Sequence, residues 1–146
     1  MDKLRFPMFV SLEGKKAVVV GGGKIGLRRA AVLHSFGAEV TVIDPNAENI
    51  PGMECLKRPY RSGDLTGAFI CTACTDDRAV NRRVGEDARE LGVPVSVADA
   101  REECDFFFPA VCTANGLVAG VVSDGSSHGK TARAARDIRR VLEEMD

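Results

Sequence analysis

Residues 21–26 contain glycines at a spacing that suits phosphate binding. Gly21, Gly23 and Gly26 occupy the three glycine positions of a G-x-G-x-x-G pattern. In a dinucleotide site, one such glycine makes a tight turn, one lets the pyrophosphate approach the backbone, and one lets a helix pack on a strand. The following helix start offers free N–H groups and a partial positive charge. The predicted cofactor contacts are Gly21, Gly22, Gly23, Lys24, Ile25 and Gly26.

A carboxylate follows this turn at the distance that the same pattern requires. Asp44 comes about 20 residues on, directly after the β-rich run Glu39-Val40-Thr41-Val42-Ile43. There it can accept hydrogen bonds from both ribose hydroxyls and repel a 2′-phosphate, so the sequence predicts NAD rather than NADP. The alternative is a merely flexible turn with Asp44 capping the next one. The motif, its flanking elements and the spacing together favour the cofactor.

Further polar residues follow later β-rich runs, where open parallel sheets bind their ligands. Thr75 and Asp76 are expected to contact the cofactor. Asp99 could accept a proton while hydride leaves a substrate, or it could cap a loop beside Arg101, and position alone does not separate these two roles. Arg28 and its neighbour Arg29 have two possible roles. Each is either a solvated helix residue or a contact for an anionic substrate.

The elements that must position these residues alternate between β-rich runs and helical patterns, which favours a parallel sheet with crossover helices. Strands are predicted at 16–20, 39–43, 53–58, 68–73 and 93–97. A first helix follows the glycines, with Ile25, Val32, Leu33 and Phe36 at helical spacing, and a second begins near Thr75-Asp76-Asp77, with Val80, Val84, Ala88 and Leu91 on one face. The predicted fold class is α/β, a Rossmann-type parallel sheet with helices on both faces.

The pattern changes after Asp99. Runs at 106–111 and 117–123 flank Asn115-Gly116, a hairpin turn signal, and a last helix is predicted from about 131 to 144. We therefore expect a cofactor domain at 1–105 and a short β-hairpin and helix at 106–146 that serves dimerisation.

Composition excludes several classes of function. The 146 residues carry 20 Lys+Arg and 21 Asp+Glu, a net charge of −1, and no Trp. These numbers give no bulk electrostatic basis for binding nucleic acid or a membrane surface. Neither a spanning segment nor a signal peptide is evident, and five cysteines make an odd set, so reduced thiols and a cytoplasmic location are expected. Two histidines and scattered cysteines do not predict a metal site.

The chain resembles the N-terminal domain of the siroheme synthases, the precorrin-2 dehydrogenase and sirohydrochlorin ferrochelatase family. The shared segments, which cover nearly the whole chain, are Phe9–Lys15, Val20–Ile25, Arg28-Arg29, Thr75-Asp76-Asp77 with Val80-Asn81, Val97–Ala100, Phe107–Ala110 and Leu117–Val121. The ordered Thr-Asp-Asp, Val-x-Asp-Ala and Phe-x-Pro-Ala motifs are far more specific than the glycines.

This resemblance implies NAD-dependent oxidation of precorrin-2 to sirohydrochlorin, with Asp99 as the catalytic base. In some members the same aspartate serves iron insertion. The substrate is a polycarboxylate, and the residues expected to bind it are Arg28, Arg29, Ser123 and Lys130. The resemblance also implies a homodimer and makes 106–146 a wall of the substrate site. It further implies a helical continuation beyond residue 146, relative to which 106–146 is expected to be truncated. The alternative function is a non-catalytic NAD-sensing or regulatory module.

Overall fold

The computed structural model describes residues 3–127 and 129–146. They form two compact units, Val10–Phe106 and a smaller one in which residues 3–9 join Phe107–Asp146. The larger unit contains a five-stranded parallel sheet of order β3-β2-β1-β4-β5. Its strands are β1 (Lys16–Val20), β2 (Glu39–Ile43), β3 (Glu54–Leu56), β4 (Ile70–Ala73) and β5 (Val95–Val97).

The central strand is buried on both faces, as its nearly continuous apolar run predicts. Val18 and Val20 lie in the cluster that includes Val84 of helix α2 (Arg78–Leu91), whereas a Val19 methyl faces Gly26 of helix α1 (Lys24–Ser35). Alternate side chains of one strand therefore meet different helices. Helices α1 and α2 therefore lie on opposite faces of the sheet, as right-handed crossovers would place them. The predicted Rossmann-type fold is confirmed.

The strand boundaries differ from those predicted because turns take the flanking backbone groups. Strand β3 is shorter than 53–58, since Met53 N–H donates to the Ile50 carbonyl (3.1 Å). Strand β4 begins at Ile70 rather than 68, since Ala68 N–H closes a turn on Leu65 (3.0 Å). Strand β5 begins at Val95 rather than 93, because Pro94 has no N–H to donate.

The buried faces of both helices also differ from the predicted ones. In α1 the buried residues are Gly26, Ala30 and Leu33, while Ile25 is 44% exposed. In α2 the buried residues are Asn81, Val84, Gly85 and Ala88, and Leu91 is 53% exposed. The helical period was predicted correctly, but the stripe facing the sheet is rotated. A glycine and an asparagine occupy core-facing positions that apolar periodicity cannot identify.

The smaller unit contains an antiparallel hairpin and a helix. Strands β6 (Ala110–Ala114) and β7 (Leu117–Val121) flank Asn115-Gly116, and helix α3 spans Lys130–Glu143. The turn is as predicted, and both of its residues have positive φ (51° and 77°). Strand β6 of the hairpin was predicted at 106–111. It starts at Ala110 because the three phenylalanines and Pro109 precede the ladder. In the described ranges, 3–127 and 129–146, every helix is too short or too polar to cross a bilayer.

Candidate functional site

The glycine turn lies where β1 ends, between β2 and β4, which is the point at which the strand order reverses. Gly21 has φ +112°, and a Cβ on it would lie 2.6 Å from the Cys74 carbonyl carbon. A Cβ on Gly26 would collide with the Gly21 carbonyl oxygen. Both positions therefore exclude a side chain in the free protein. Open sheets bind their ligands at this reversal point.

Gly23 is different, because a Cβ built on it would meet no atom within 4 Å. Gly23 is also the N-cap of α1, it has no side chain to cap the helix, and the first turn carries no acid. The first helical bond runs from Leu27 N–H to the Gly23 carbonyl (2.9 Å). Room for a ligand thus faces uncapped N–H groups and the positive end of the helix, which suits a pyrophosphate.

Asp44 closes one side of this turn. Its Oδ2 accepts from Gly22 N–H (2.7 Å) and its Oδ1 from Asn46 N–H (2.7 Å). Each carboxylate oxygen has two lone pairs, and a backbone N–H occupies only one of them, so the other remains available to a ligand. The half-buried carboxylate can therefore hold the glycine turn and also accept hydrogen bonds from ribose hydroxyls.

A buried asparagine organises the loop after β4. Asn81, 0% exposed, donates from Nδ2 to the Thr75 carbonyl (3.0 Å) and accepts at Oδ1 from Thr75 N–H (3.0 Å) and Oγ1 (2.6 Å). Thr75 is therefore fixed at the sheet edge, whereas Asp76 is exposed. Asp77 begins α2 by accepting from Ala79 N–H (2.9 Å). No role was predicted for Asn81 from the sequence, because apolar periodicity does not mark an amide that faces the core.

Asp99 follows β5 and pairs with Arg78, the first residue of α2. Arg78 Nη1 lies 2.6 Å from Asp99 Oδ1, and its Nη2 lies 2.6 Å from Glu103 Oε1. The Arg78 and Asp99 side chains are 37% and 39% exposed, and such pairs contribute about 0–1 kcal/mol to stability. Arg78 Nε is buried and has no hydrogen-bond partner in the described part of the chain. The pair therefore adds little stability, and the sequence did not single out Arg78.

The two arginines expected to meet an anionic substrate lie in different surroundings. Arg28 is exposed on α1. The Arg29 guanidinium lies against the sheet, where Nη1 donates to Thr72 Oγ1 (2.7 Å) and to Ser96 Oγ (3.4 Å). Both of these hydroxyls are buried, so Arg29 satisfies polar groups of β4 and β5. That contact is a structural role, and substrate binding by either arginine stays a prediction.

The remaining predicted site residues belong to the smaller unit. Ser123 is half-buried, and its Oγ accepts from Gly125 N–H (3.2 Å). Lys130 is exposed at the start of α3. Asp124 lies between them in the chain. The Ser126 hydroxyl, with the larger effect, and the Ser126 N–H both donate to the Asp124 carboxylate and hold its pKa below the usual range. His128 of the same polar turn lies outside the described residues.

The cysteines form no disulfide, and burial makes one of them unreactive. All five are free thiols. Burial, the largest cause, and then the charge of Asp105 raise the pKa of the Cys71 thiol to about 12, so it is protonated and unreactive near neutral pH. Within residues 3–127 and 129–146, no group of three or more His, Cys, Asp or Glu side chains is arranged to hold a metal ion.

The sheet and its glycine turn define a dinucleotide-binding domain, and comparison with known proteins agrees. Residues 8–110 match the family model described as "Putative NAD(P)-binding". The chain belongs to this NAD(P)-binding family.

The relatives are enzymes of siroheme synthesis. The chain is 40% identical over 150 residues to the "Probable multifunctional siroheme biosynthesis protein HemA" of Ruminiclostridium josui, covering 97% of this chain and 29% of that protein. It is 42% identical over 134 residues to the siroheme synthase of Azotobacter vinelandii, covering 87% and 28%. The chain thus spans under a third of the length of these relatives. The resemblance to the siroheme synthases is confirmed.

A solved structure shares the fold. The protein titled "SirC, precorrin-2 dehydrogenase" superposes with a TM-score of 0.74 at 24% identity, covering 94% of this chain and 71% of that one. At this level of identity the likeness establishes the architecture.

Proposed function

We propose that this chain is an NAD-dependent dehydrogenase that oxidises precorrin-2 to sirohydrochlorin in siroheme synthesis. The observation that carries the proposal is the common position of three groups. The uncapped glycine turn, the Asp44 carboxylate and the Asp99 carboxylate each follow a strand of one parallel sheet, at its carboxyl edge. The names of the siroheme synthases and of the precorrin-2 dehydrogenase with the same fold support this choice of substrate.

The residues that would hold the cofactor fit its chemistry. The N–H groups at the start of α1 would bind the pyrophosphate over Gly23, where a side chain is absent and space is open. Asp44 would accept hydrogen bonds from the ribose hydroxyls and would repel a 2′-phosphate, which favours NAD over NADP. Thr75 and Asp76 follow β4 at the same edge, where the chain would pass close to the nicotinamide half.

Oxidation of the substrate ring removes two hydrogens. Bound NAD supplies the acceptor for the one that leaves as hydride. The other leaves as a proton, and we propose that Asp99 accepts it at Oδ2, because Arg78 already occupies Oδ1. In the larger unit, Arg28 and Arg29 would each offer a cation to a substrate carboxylate. For Ser123 and Lys130 of the smaller unit, substrate binding stays a prediction from the sequence.

One assay tests this function. The full chain is given precorrin-2 and NAD, and the appearance of NADH is followed for the wild type and for Asp99→Asn. The expected result is a fall in kcat of about 100-fold or more, because the variant cannot accept the proton. Glu102→Gln is the matched control, an exposed carboxylate on the same loop, and it should leave kcat unchanged.

Two outcomes would contradict the proposal differently. Equal rates for wild type and Asp99→Asn would remove Asp99 from the mechanism. NAD binding without turnover by the wild type would favour the alternative, an NAD-sensing or regulatory module. Ferrochelatase activity stays a separate prediction, tested by mixing sirohydrochlorin with ferrous iron and following the loss of the metal-free spectrum in the same variants.

We also propose that the enzyme is a cytoplasmic homodimer. Free thiols at all five cysteines suit a reducing compartment. The smaller unit exposes apolar side chains on β7 and α3, including Leu117 (42%) and Val141 (57%), and such residues are typical of subunit interfaces. Light scattering after gel filtration should give twice the mass of one chain for the wild type. Val141→Lys should lower the measured mass towards that of one chain. A monomeric wild type would contradict the assembly.

A further inference from the structure

We infer that Arg78 is a positioning residue, which holds the Asp99 carboxylate in its reactive orientation and is itself anchored by Glu103. The inference rests on the proposed function, since it concerns the base of that reaction. It begins from three side chains on three separate segments. Arg78 starts α2, Asp99 follows β5, and Glu103 ends the short 3-10 helix Arg101–Glu103.

The contacts of Arg78 differ from those of an ordinary surface pair. Each terminal nitrogen serves a different carboxylate, Nη1 that of Asp99 and Nη2 that of Glu103, both at 2.6 Å. The guanidinium is rigid and planar, so fixing one nitrogen on Glu103 also fixes the direction of the other. A lysine ammonium could supply the charge but would not set this angle.

The two carboxylates are held unequally. The Glu103 side chain is 19% exposed and that of Asp99 is 39% exposed. The Glu103 backbone is also tied down, because its carbonyl accepts from Arg89 Nη1 (3.3 Å) and its N–H donates to the Ala100 carbonyl (3.0 Å). Glu103 is therefore the fixed end of the arrangement, and Asp99 is the end that meets solvent and ligand.

The consequence falls on the two oxygens of Asp99. Oδ1 accepts from Arg78, and no described residue donates to Oδ2. When one oxygen of a carboxylate is held by a hydrogen bond, the direction of its other oxygen is fixed as well. Proton transfer requires such a fixed direction, because donor and acceptor must meet within hydrogen-bond distance. The buried, unpartnered Nε of Arg78 is consistent with a side chain kept for geometry rather than for stability.

Steady-state kinetics of the full chain with precorrin-2 and NAD test this role. We expect Arg78→Gln to lower kcat by about 10- to 100-fold through misplacement of the base, with the KM for precorrin-2, the Kd for NAD and the Tm unchanged. Arg78→Lys should recover part of the loss but not all. Arg78→Gln should cost nothing further when added to Asp99→Asn, because the two act through one group. Arg82→Gln, an exposed arginine one turn along α2, is the control and should match wild type.

A second measurement does not depend on turnover. In nitrogen NMR spectra of the free protein, the Arg78 Nη–H groups should exchange slowly with water, and they should exchange faster in both Asp99→Asn and Glu103→Gln. Unchanged kcat in Arg78→Gln, or a fall in kcat accompanied by loss of Tm and NAD affinity, would overturn the inference. An inactive wild type with slow-exchanging Arg78 groups would instead reject the proposed function and leave the held geometry of Asp99 in place.

Discussion

The three glycines of the turn carry out three different physical tasks. Gly21 provides a positive φ of 112°, Gly26 allows α1 to approach the Gly21 carbonyl, and Gly23 leaves open space. The first two tasks belong to folding. The third has no structural benefit in the free protein, because Gly23 has φ −77° and ψ −169°, which any residue can adopt.

This difference separates stability from cofactor binding. We expect Gly23→Val to weaken NAD binding about 10-fold or more, because its methyls would fill the space over the helix start. Its loss of stability should stay at about 1 kcal/mol, the usual cost of a poor N-cap residue. Gly26→Val should instead destabilise the fold by about 1–3 kcal/mol or more through overpacking. Thermal unfolding and calorimetric titration with NAD measure the two effects. A loss of stability in Gly23→Val as large as that in Gly26→Val would show that the open position is structural.

We propose that Asp44 sets the preference between NAD and NADP. A charge-assisted hydrogen bond contributes about 1.5–3 kcal/mol, so Asp44→Asn should weaken NAD binding by about 10-fold or more. The same change should weaken NADP binding much less, since it also removes repulsion of the 2′-phosphate. Titration of both cofactors against Asp44→Asn checks this, with the exposed Glu48→Gln as control. An unchanged ratio of the two affinities would argue against contact between Asp44 and the ribose.

At the scale of elements, local backbone chemistry explains what the sequence could predict. Strand β1 and helix α1 follow from an apolar run, glycines and a 3.6-residue period, each of which acts within a few residues. The faces of the helices depend on packing against the sheet. There the apolar periodicity is only partly followed, because Leu91, which shares the predicted face with Val84 and Ala88, is 53% exposed. The early start given to β6 was wrong for a related reason, because aromatic residues suit a strand wherever they lie.

Asn115 links the hairpin to the last helix within the smaller unit. Its φ of 51° suits the turn, and its Nδ2 donates to the carbonyls of Leu142 (2.8 Å) and Met145 (3.0 Å) near the end of α3. Asn115→Gly keeps the backbone conformation and removes these bonds, so we expect a loss of about 1 kcal/mol. Asn115→Ala should cost more, because alanine also disfavours positive φ. Urea unfolding measures both variants, and equal stability of all three proteins would contradict this account.

At the scale of the molecule, the site is assembled from loops that are far apart in the chain. The sequence predicts the glycine turn and Asp44 as cofactor contacts, because both occur in one contiguous motif, and it predicts Asp99 as the base through resemblance. It does not identify Arg78 or the clamp made by Asn81, because their partners are set by how β4, α2 and β5 come together. Local patterns predict ligand-binding motifs better than the residues that hold them in place.

The acid stability of the larger unit should depend on a pair outside this site. Arg58 donates to both oxygens of Asp64 (2.9 and 2.8 Å), and this bond, more than any other cause, lowers the pKa of the Asp64 carboxyl. Because the folded-state pKa is depressed, the stabilisation is fully present above the unfolded value of about 3.9 and is lost as pH falls through the folded value. Urea unfolding from pH 7 downward should therefore show a steeper loss of stability below about pH 4 in wild type than in Asp64→Asn. Asp137→Asn removes a carboxylate that is 71% exposed, and its curve should follow wild type; parallel curves for Asp64→Asn would show that the Arg58 pair contributes nothing.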